Sequence, residues 1–227
     1  WDTPICFKKH ALIMDEEISI IDNNTRNEKI KNFFINNKKN LIIAILITII
    51  GLGSYFSLGE IKERKKIKLA NQFNLTTINY KKDIQKKTTS ELIDIINQND
   101  PTYSPLALYF LLDNDLIEDN IKTNELFDEL INKTNLEKEI KNLIIYKKAL
   151  FNSNFVSENN LLIILNPIIN SESIWKSHAL YLLAEYFYAN NEVQKAKEFF
   201  NQVLVLQNSN IDIKKESQKR LDRDLGE

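Results

Sequence analysis

Leu41–Leu58 reads LIIAILITIIGLGSYFSL. It holds no charged residue and no proline, and at about 1.5 Å of helix rise per residue it reaches across a hydrocarbon core of roughly 30 Å. A segment in lipid has to satisfy its own backbone N–H and C=O groups, so a lone run of this kind predicts one transmembrane helix. Two rival readings fit less well. A helix buried in a soluble core keeps a polar stripe, which this run lacks. A cleaved signal peptide needs a shorter apolar region, a short basic leader and a small-residue cleavage site. Here the leader is long and the run ends in bulky Tyr55 and Phe56, with Gly51 and Gly53 a poor substitute for that site.

The flanks of the run are both basic. Arg26, Lys29, Lys31, Lys38 and Lys39 precede it, and Lys62, Arg64, Lys65, Lys66 and Lys68 follow it. The excess of cations that marks the cytoplasmic side is therefore matched at the two ends and fixes no orientation. Glu28–Asn40 sets Ile30, Phe33 and Phe34 on one side of a helix among lysines, which fits either an interfacial amphipathic turn or the plain flank of an anchor. Asp15–Asn24 is acidic and polar with no periodicity, and is expected to be disordered. Met14 is the single methionine and Trp1–Ile13 fit nothing downstream, so Met14 is the expected natural start, with residues 1–13 upstream sequence.

Composition narrows the fold class. The 227 residues include only four glycines and four prolines, too few for the turns of a β-sandwich or barrel, and favour helices on short polar connections. A net charge of -1 gives no overall basic field for nucleic acid. The single cysteine, Cys6, excludes an internal disulfide framework. The many Ile, Asn and Lys residues fit an AT-rich genome, so individual surface Asn and Lys carry little functional weight.

Beyond the span, Ile61–Tyr80 carries Ile67, Ala70, Phe73 and Tyr80 at near-helical spacing and is expected to continue the helix as a stalk, with Lys81–Lys87 as a hinge. Thr88-Thr-Ser-Glu91 and Thr134-Asn-Leu-Glu137 have the form of capping boxes, each opening a helix. Ser104-Pro105 is expected to supply an N-cap and first-turn proline for Leu106–Leu112. Further helices are expected over Asn124–Ile131, over Asn159–Leu165 closed by Asn166-Pro167, and over Ser173–Tyr188, Glu192–Leu206 and Ile211–Leu225.

Helices at such short intervals invite comparison with tetratricopeptide repeats, in which small residues mark the close crossing of two helices and large ones fill the space between units. Leu180-x2-Leu183-Ala184-x2-Phe187 followed by Ala196-x3-Phe200 keeps both halves in type, giving one repeat over Ser177–Asn210. Tyr103-x2-Leu106-Ala107-x2-Phe110 with Thr123-x3-Phe127 is a degenerate second unit. Tyr146, Ala149, Leu150, Leu161 and Leu165 form a weak third. The expected fold is all-α: one transmembrane helix followed by a degenerate tetratricopeptide-like array, a right-handed α-solenoid with a concave surface. The expected divisions are a tail at 1–40, a membrane helix at 41–59, a stalk and hinge at 60–87, and a repeat-like domain at 88–227.

No catalytic constellation emerges, and neither enzymatic activity nor a cofactor is expected. His178 lacks a Ser or Cys nucleophile motif nearby and reads as a packing or solvent-facing residue. Asp113-Asn-Asp-Leu-Ile-Glu118 lacks the central glycine of a calcium loop and reads as a solvated turn. No glycine-rich phosphate loop is present. The basic runs Lys62–Lys68 and Lys214–Arg223 are interleaved with acids; the first is at most a contact for anionic lipid headgroups. The candidate protein-binding residues are Trp175, Tyr181, Tyr186 and Tyr188. They either line the concave groove and grip a client or fill the core between repeats.

The order and spacing of these parts resemble the YfgM-like ancillary subunit family of the Sec translocon. The likeness rests on Lys31-x-Phe33-Phe34 with Asn37 and Lys39 before the span, the span itself, Thr102-Tyr-Ser-Pro-Leu-Ala107, and Trp175 followed by the Ala184 repeat. It covers nearly all of Asp15–Leu225. The resemblance implies a single-pass protein of the bacterial inner membrane with a short cytoplasmic N-terminus and a periplasmic repeat domain. Its implied partners are the SecYEG channel, a membrane-anchored periplasmic chaperone and newly translocated, unfolded clients. A structural scaffold or assembly factor of another envelope or cell-division complex is the alternative.

Overall fold

The computed structural model describes residues 27–226, and among them it is helical with no strand. The expectations for Trp1–Ile13 and Asp15–Asn24 lie outside the described residues. The described residues fall into two units that divide between Arg64 and Lys65.

In the first unit, α1 (27–36) leads into α2 (Lys38–Ile78). Helical hydrogen bonding continues through the junction: Asn37 N–H donates to the Phe33 carbonyl (3.0 Å) and Leu41 N–H to the Asn37 carbonyl (2.9 Å). α2 is long and apolar enough to cross a membrane, and none of its apolar window is buried. Within that window the Thr48 hydroxyl donates to the Ala44 carbonyl at 2.9 Å, which satisfies a polar group inside the helix itself. Phe33 and Phe34 stand exposed beside one another, edge to face.

The second unit takes up the end of α2. Leu69 is buried, and Phe73 and Tyr80 pack against the same core. Their rings meet Tyr103 at 5.9 Å and Phe110 at 5.6 Å. The Thr76 hydroxyl donates to Glu91 Oε2 at 2.9 Å. The part of the expected stalk from Leu69 onward therefore has a packed side. The expected hinge at Lys81–Lys87 is a 3-10 turn (Lys82–Ile84) running directly into α3 (Gln85–Ile96).

Then follow α4 (Tyr103–Asp113), α5 (Asn120–Lys133), α6 (Lys138–Asn152), α7 (Glu158–Ile169), α8 (Lys176–Ala189), α9 (Val193–Val205) and α10 (Ile211–Asp224). Consecutive helices from α3 to α10 pack on one another, and α3–α5, α6–α8 and α8–α10 also touch. Two buried clusters result. The first joins α3, α4 and α5 around Leu92, Leu108, Phe127 and Leu130, with Ile144 of α6. The second joins α6 to α9 around Ala149, Leu165, Leu183, Phe187 and Phe200, with Ile145 of α6. Neighbouring residues of one helix point about 100° apart, so α6 serves both cores with Ile144 and Ile145.

Local chemistry departs from the expected caps. Thr88 lies inside α3, buried, with no capping role. Thr134 ends α5 instead of opening α6, and its hydroxyl donates to Asn99 Oδ1 at 3.1 Å. Both tetrads match a capping box in letters, but Thr88 is buried in the body of α3 and Thr134 is drawn into a contact with the turn after α3. Ser104 sits one residue inside α4, its hydroxyl donating to the Ile95 carbonyl at 2.8 Å; Asp100 Oδ1 instead receives the free N–H groups of Thr102 and Tyr103, both at 2.8 Å. Pro167 lies inside α7, which runs on to Ile169.

Two helices end on a non-glycine residue in the left-handed region. After α8, Asn191 (φ 62°) lets Glu192 N–H reach the Phe187 carbonyl at 2.8 Å. After α4, Asp115 (φ 50°) lets Leu116 N–H reach the Leu111 carbonyl at 2.9 Å. Both are Schellman endings with Asn or Asp where glycine is usual, and Leu116 completes the second by burying itself in the core. The Asp113–Glu118 run is this turn.

Candidate functional site

The four candidate aromatics lie on or beside α8 but face three ways. Trp175, just before the helix, stacks on Tyr146 of α6 at 6.0 Å and donates its indole N–H to the Glu139 carbonyl at 3.1 Å. The approach is fixed by Ser173, whose hydroxyl donates to Glu139 Oε2 at 2.7 Å, and by Ile174 N–H on the same oxygen at 3.2 Å. Tyr181 packs edge to face on Phe200 at 5.5 Å. Burial, and after it the Glu185 carboxylate, push its phenol well above the ordinary tyrosine value. Tyr188 lies under the Arg220 guanidinium, 4.4 Å from its ring centre. That guanidinium also donates to Glu185 Oε1 at 2.7 Å and to Asp224, latching α10 onto α8. Hydrogen bonds from Arg223 and Arg220 hold the Asp224 carboxyl down at about 2, against the opposing effect of burial.

Tyr186 faces a groove. Its hydroxyl donates to the Val156 carbonyl at 3.1 Å in the turn between α6 and α7. Beside it the turn and α8 enclose a space of about 650 Å³, lined by Phe155, Val156, Leu182, Tyr186 and Ala189, with Ser153, Asn154, Ser157 and Asn190 supplying hydroxyl and amide groups. Phe155 is 48% exposed. Glu185 is the one carboxylate in the lining, and Arg220 neutralises it. The lining mixes apolar side chains with neutral hydrogen-bonding groups, a combination that a stretch of uncharged polypeptide can match.

Sequence reasoning missed Phe155, Val156 and Leu182. The available signal was an aromatic inside a polar turn, Asn152-Ser-Asn-Phe155, where no helical periodicity requires one. His178 lies between Trp175 (5.1 Å) and Tyr146 (5.9 Å). Burial holds its pKa below the ordinary value; the Ile174 backbone opposes that shift, although Nδ1 makes no hydrogen bond of good geometry. Among the described residues no three His, Cys, Asp or Glu side chains gather as metal ligands.

Compared with known proteins, the chain matches no family model, no curated relative and no solved structure.

Proposed function

We propose that this chain is a membrane-anchored protein-binding module: α2 spans a bilayer once, and the helices after it form a tetratricopeptide-like array that holds unfolded polypeptide. The observation that carries the reading is the unburied apolar window of α2, continuous with a helix end that packs into a folded unit. The array reading is supported by burial of the repeat positions Leu180, Leu183, Ala184, Phe187, Ala196 and Phe200. It is supported too by the packing of the described helices from α3 onward, chiefly on adjacent and next-but-one neighbours, the habit of solenoids. The degenerate repeat over α4 and α5 is looser, since Ala107, Thr123 and Phe127 are buried while Leu106 is 41% exposed.

The resemblance to the YfgM-like family gives the setting: an accessory subunit of the Sec translocon in the bacterial inner membrane, its C-terminal unit in the periplasm beside a membrane-anchored chaperone. The groove at Phe155 is the proposed client contact. A photo-crosslinking amino acid at Phe155 of the full chain in cells tests this, and crosslinks to newly exported chains and to channel subunits are expected. Crosslinks to one fixed envelope partner alone would overturn the client reading in favour of a scaffold. A membrane-impermeant thiol reagent on a cysteine introduced at Ser209 reports the compartment, and labelling from the cytoplasmic side only would overturn the periplasmic assignment.

A further inference from the structure

The cations that follow the apolar window have a use beyond fixing topology. α2 runs unbroken from Lys38 to Ile78, so helix rise places Lys62 about 6 Å and Lys68 about 15 Å beyond Leu58 along the axis. That range begins inside the screening length of about 8 Å at physiological salt. Lys62, Arg64, Lys65, Lys66 and Lys68 are all exposed. Arg64 pairs with Glu60 at 2.9 Å across one turn; the four lysines have no ion pair among the described residues.

Their angular spread is uneven. At about 100° per residue the five cations sweep an arc of about 200°, while Glu60 and Glu63 fall together in the remaining sector. Glu60 offsets Arg64 at the edge of that arc and leaves the four lysines undiluted. One turn before Gly59, Tyr55 and Phe56 are 74% and 71% exposed and meet edge to face at 5.9 Å. Such aromatic pairs sit at the headgroup level of a bilayer, with cations just beyond.

From this arrangement we infer that the Lys62–Lys68 face of α2 binds the phosphate groups of anionic phospholipids in the adjoining leaflet, drawing them into the annulus around the helix. The inference rests on the reading of α2 as a membrane span, and it holds for either orientation of the chain. Charge complementarity selects the occupant. Because the face continues directly from the span, lipid headgroups reach it before any soluble polyanion does. Lipids with no net charge gain nothing from it.

The test uses the full chain reconstituted in mixed phosphatidylcholine and phosphatidylglycerol vesicles, with spin-labelled lipids reporting which species occupies the annulus. Phosphatidylglycerol is expected to be preferred over phosphatidylcholine by about fivefold, the equivalent of one well-placed cation, and to lose that preference in 1 M salt. The triple variant K62Q/K65Q/K66Q, in which glutamine keeps helix propensity, is expected to bring the preference to near one with an unchanged circular dichroism spectrum. The variant K29Q/K31Q/K38Q/K39Q serves as control for the opposite end of the span. Loss of preference in that control alone, or equal occupancy by the two lipids in the wild-type chain, overturns the inference while leaving the membrane span standing. Failure of the wild-type chain to enter pure phosphatidylcholine vesicles overturns the span and the inference together.

Discussion

Isoleucine occupies opposite environments in the two units. Ile47, Ile49 and Ile50 of α2 are 64%, 61% and 62% exposed, whereas Ile95, Ile96 and Ile144 of the second unit are 0% exposed. Removing such a side chain from water stabilises by about 1.5–3 kcal/mol wherever it goes. In the second unit other side chains supply that environment, so apolar positions recur on one face of each helix. In the span they recur all round, which is the pattern expected when lipid takes the place of a protein partner. The contrast teaches that burial within the chain and hydrophobic stabilisation are separate quantities, and each can be removed without the other.

The largest expected effect comes from the packed side of that contrast. Phe200→Ala empties a fully buried site next to Tyr181 and Phe187, and should cost the second unit about 3–5 kcal/mol in urea unfolding of residues 65–227. Retention of the full chain in membranes should not change. Ile49→Lys does the converse: it disfavours insertion by about 2.5–3.5 kcal/mol. Alkaline extraction should then release the protein while the urea midpoint of the second unit stays put. If either substitution moves both readouts, insertion and folding are not separable in this chain.

The smallest effect is a pH dependence. Burial lowers the His178 pKa, so the unfolded chain takes up a proton near the ordinary value of about 6.5 before the folded one does. The stability linked to the neutral ring is present above that value and is lost as pH falls below it. Urea midpoints at pH 7.5 and 5.5 should therefore differ more in the wild-type chain than in His178→Gln. Equal differences would mean that the ring between Trp175 and Tyr146 is as well hydrated as in the unfolded chain.

Much of the helical plan was legible because it depends on periodicity. The α8–α9 pair follows from Leu183, Ala184, Phe187, Ala196 and Phe200, and the apolar run of α2 from its composition. The caps were not legible in the same way. Thr88 and Thr134 sit in tetrads that satisfy the local rule, yet one is buried in the body of α3 and the other gives its hydroxyl to Asn99. Discounting asparagine as compositional background hid its structural work. Asn191 ends α8 in a backbone region that favours glycine, and Asn124 and Asn152 exchange amide hydrogen bonds at 3.1 and 2.8 Å between α5 and α6. The groove was invisible because Phe155 and Leu182 are far apart in sequence and belong to no shared period. Of the four aromatics named beforehand, only Tyr186 is among its lining residues.

Helix α6 gives Ile144 to one core and Ile145 to the other. Stacked-repeat proteins often come apart one unit at a time, because each unit holds only its neighbours. Here α6 is buried in both halves and Ile131 of α5 packs against both, so loosening either half withdraws a wedge from its counterpart. The Lys65–Glu227 unit should therefore unfold in a single transition, the same by far-UV circular dichroism and by tryptophan fluorescence, with the groove beside α8 opening no earlier than the rest.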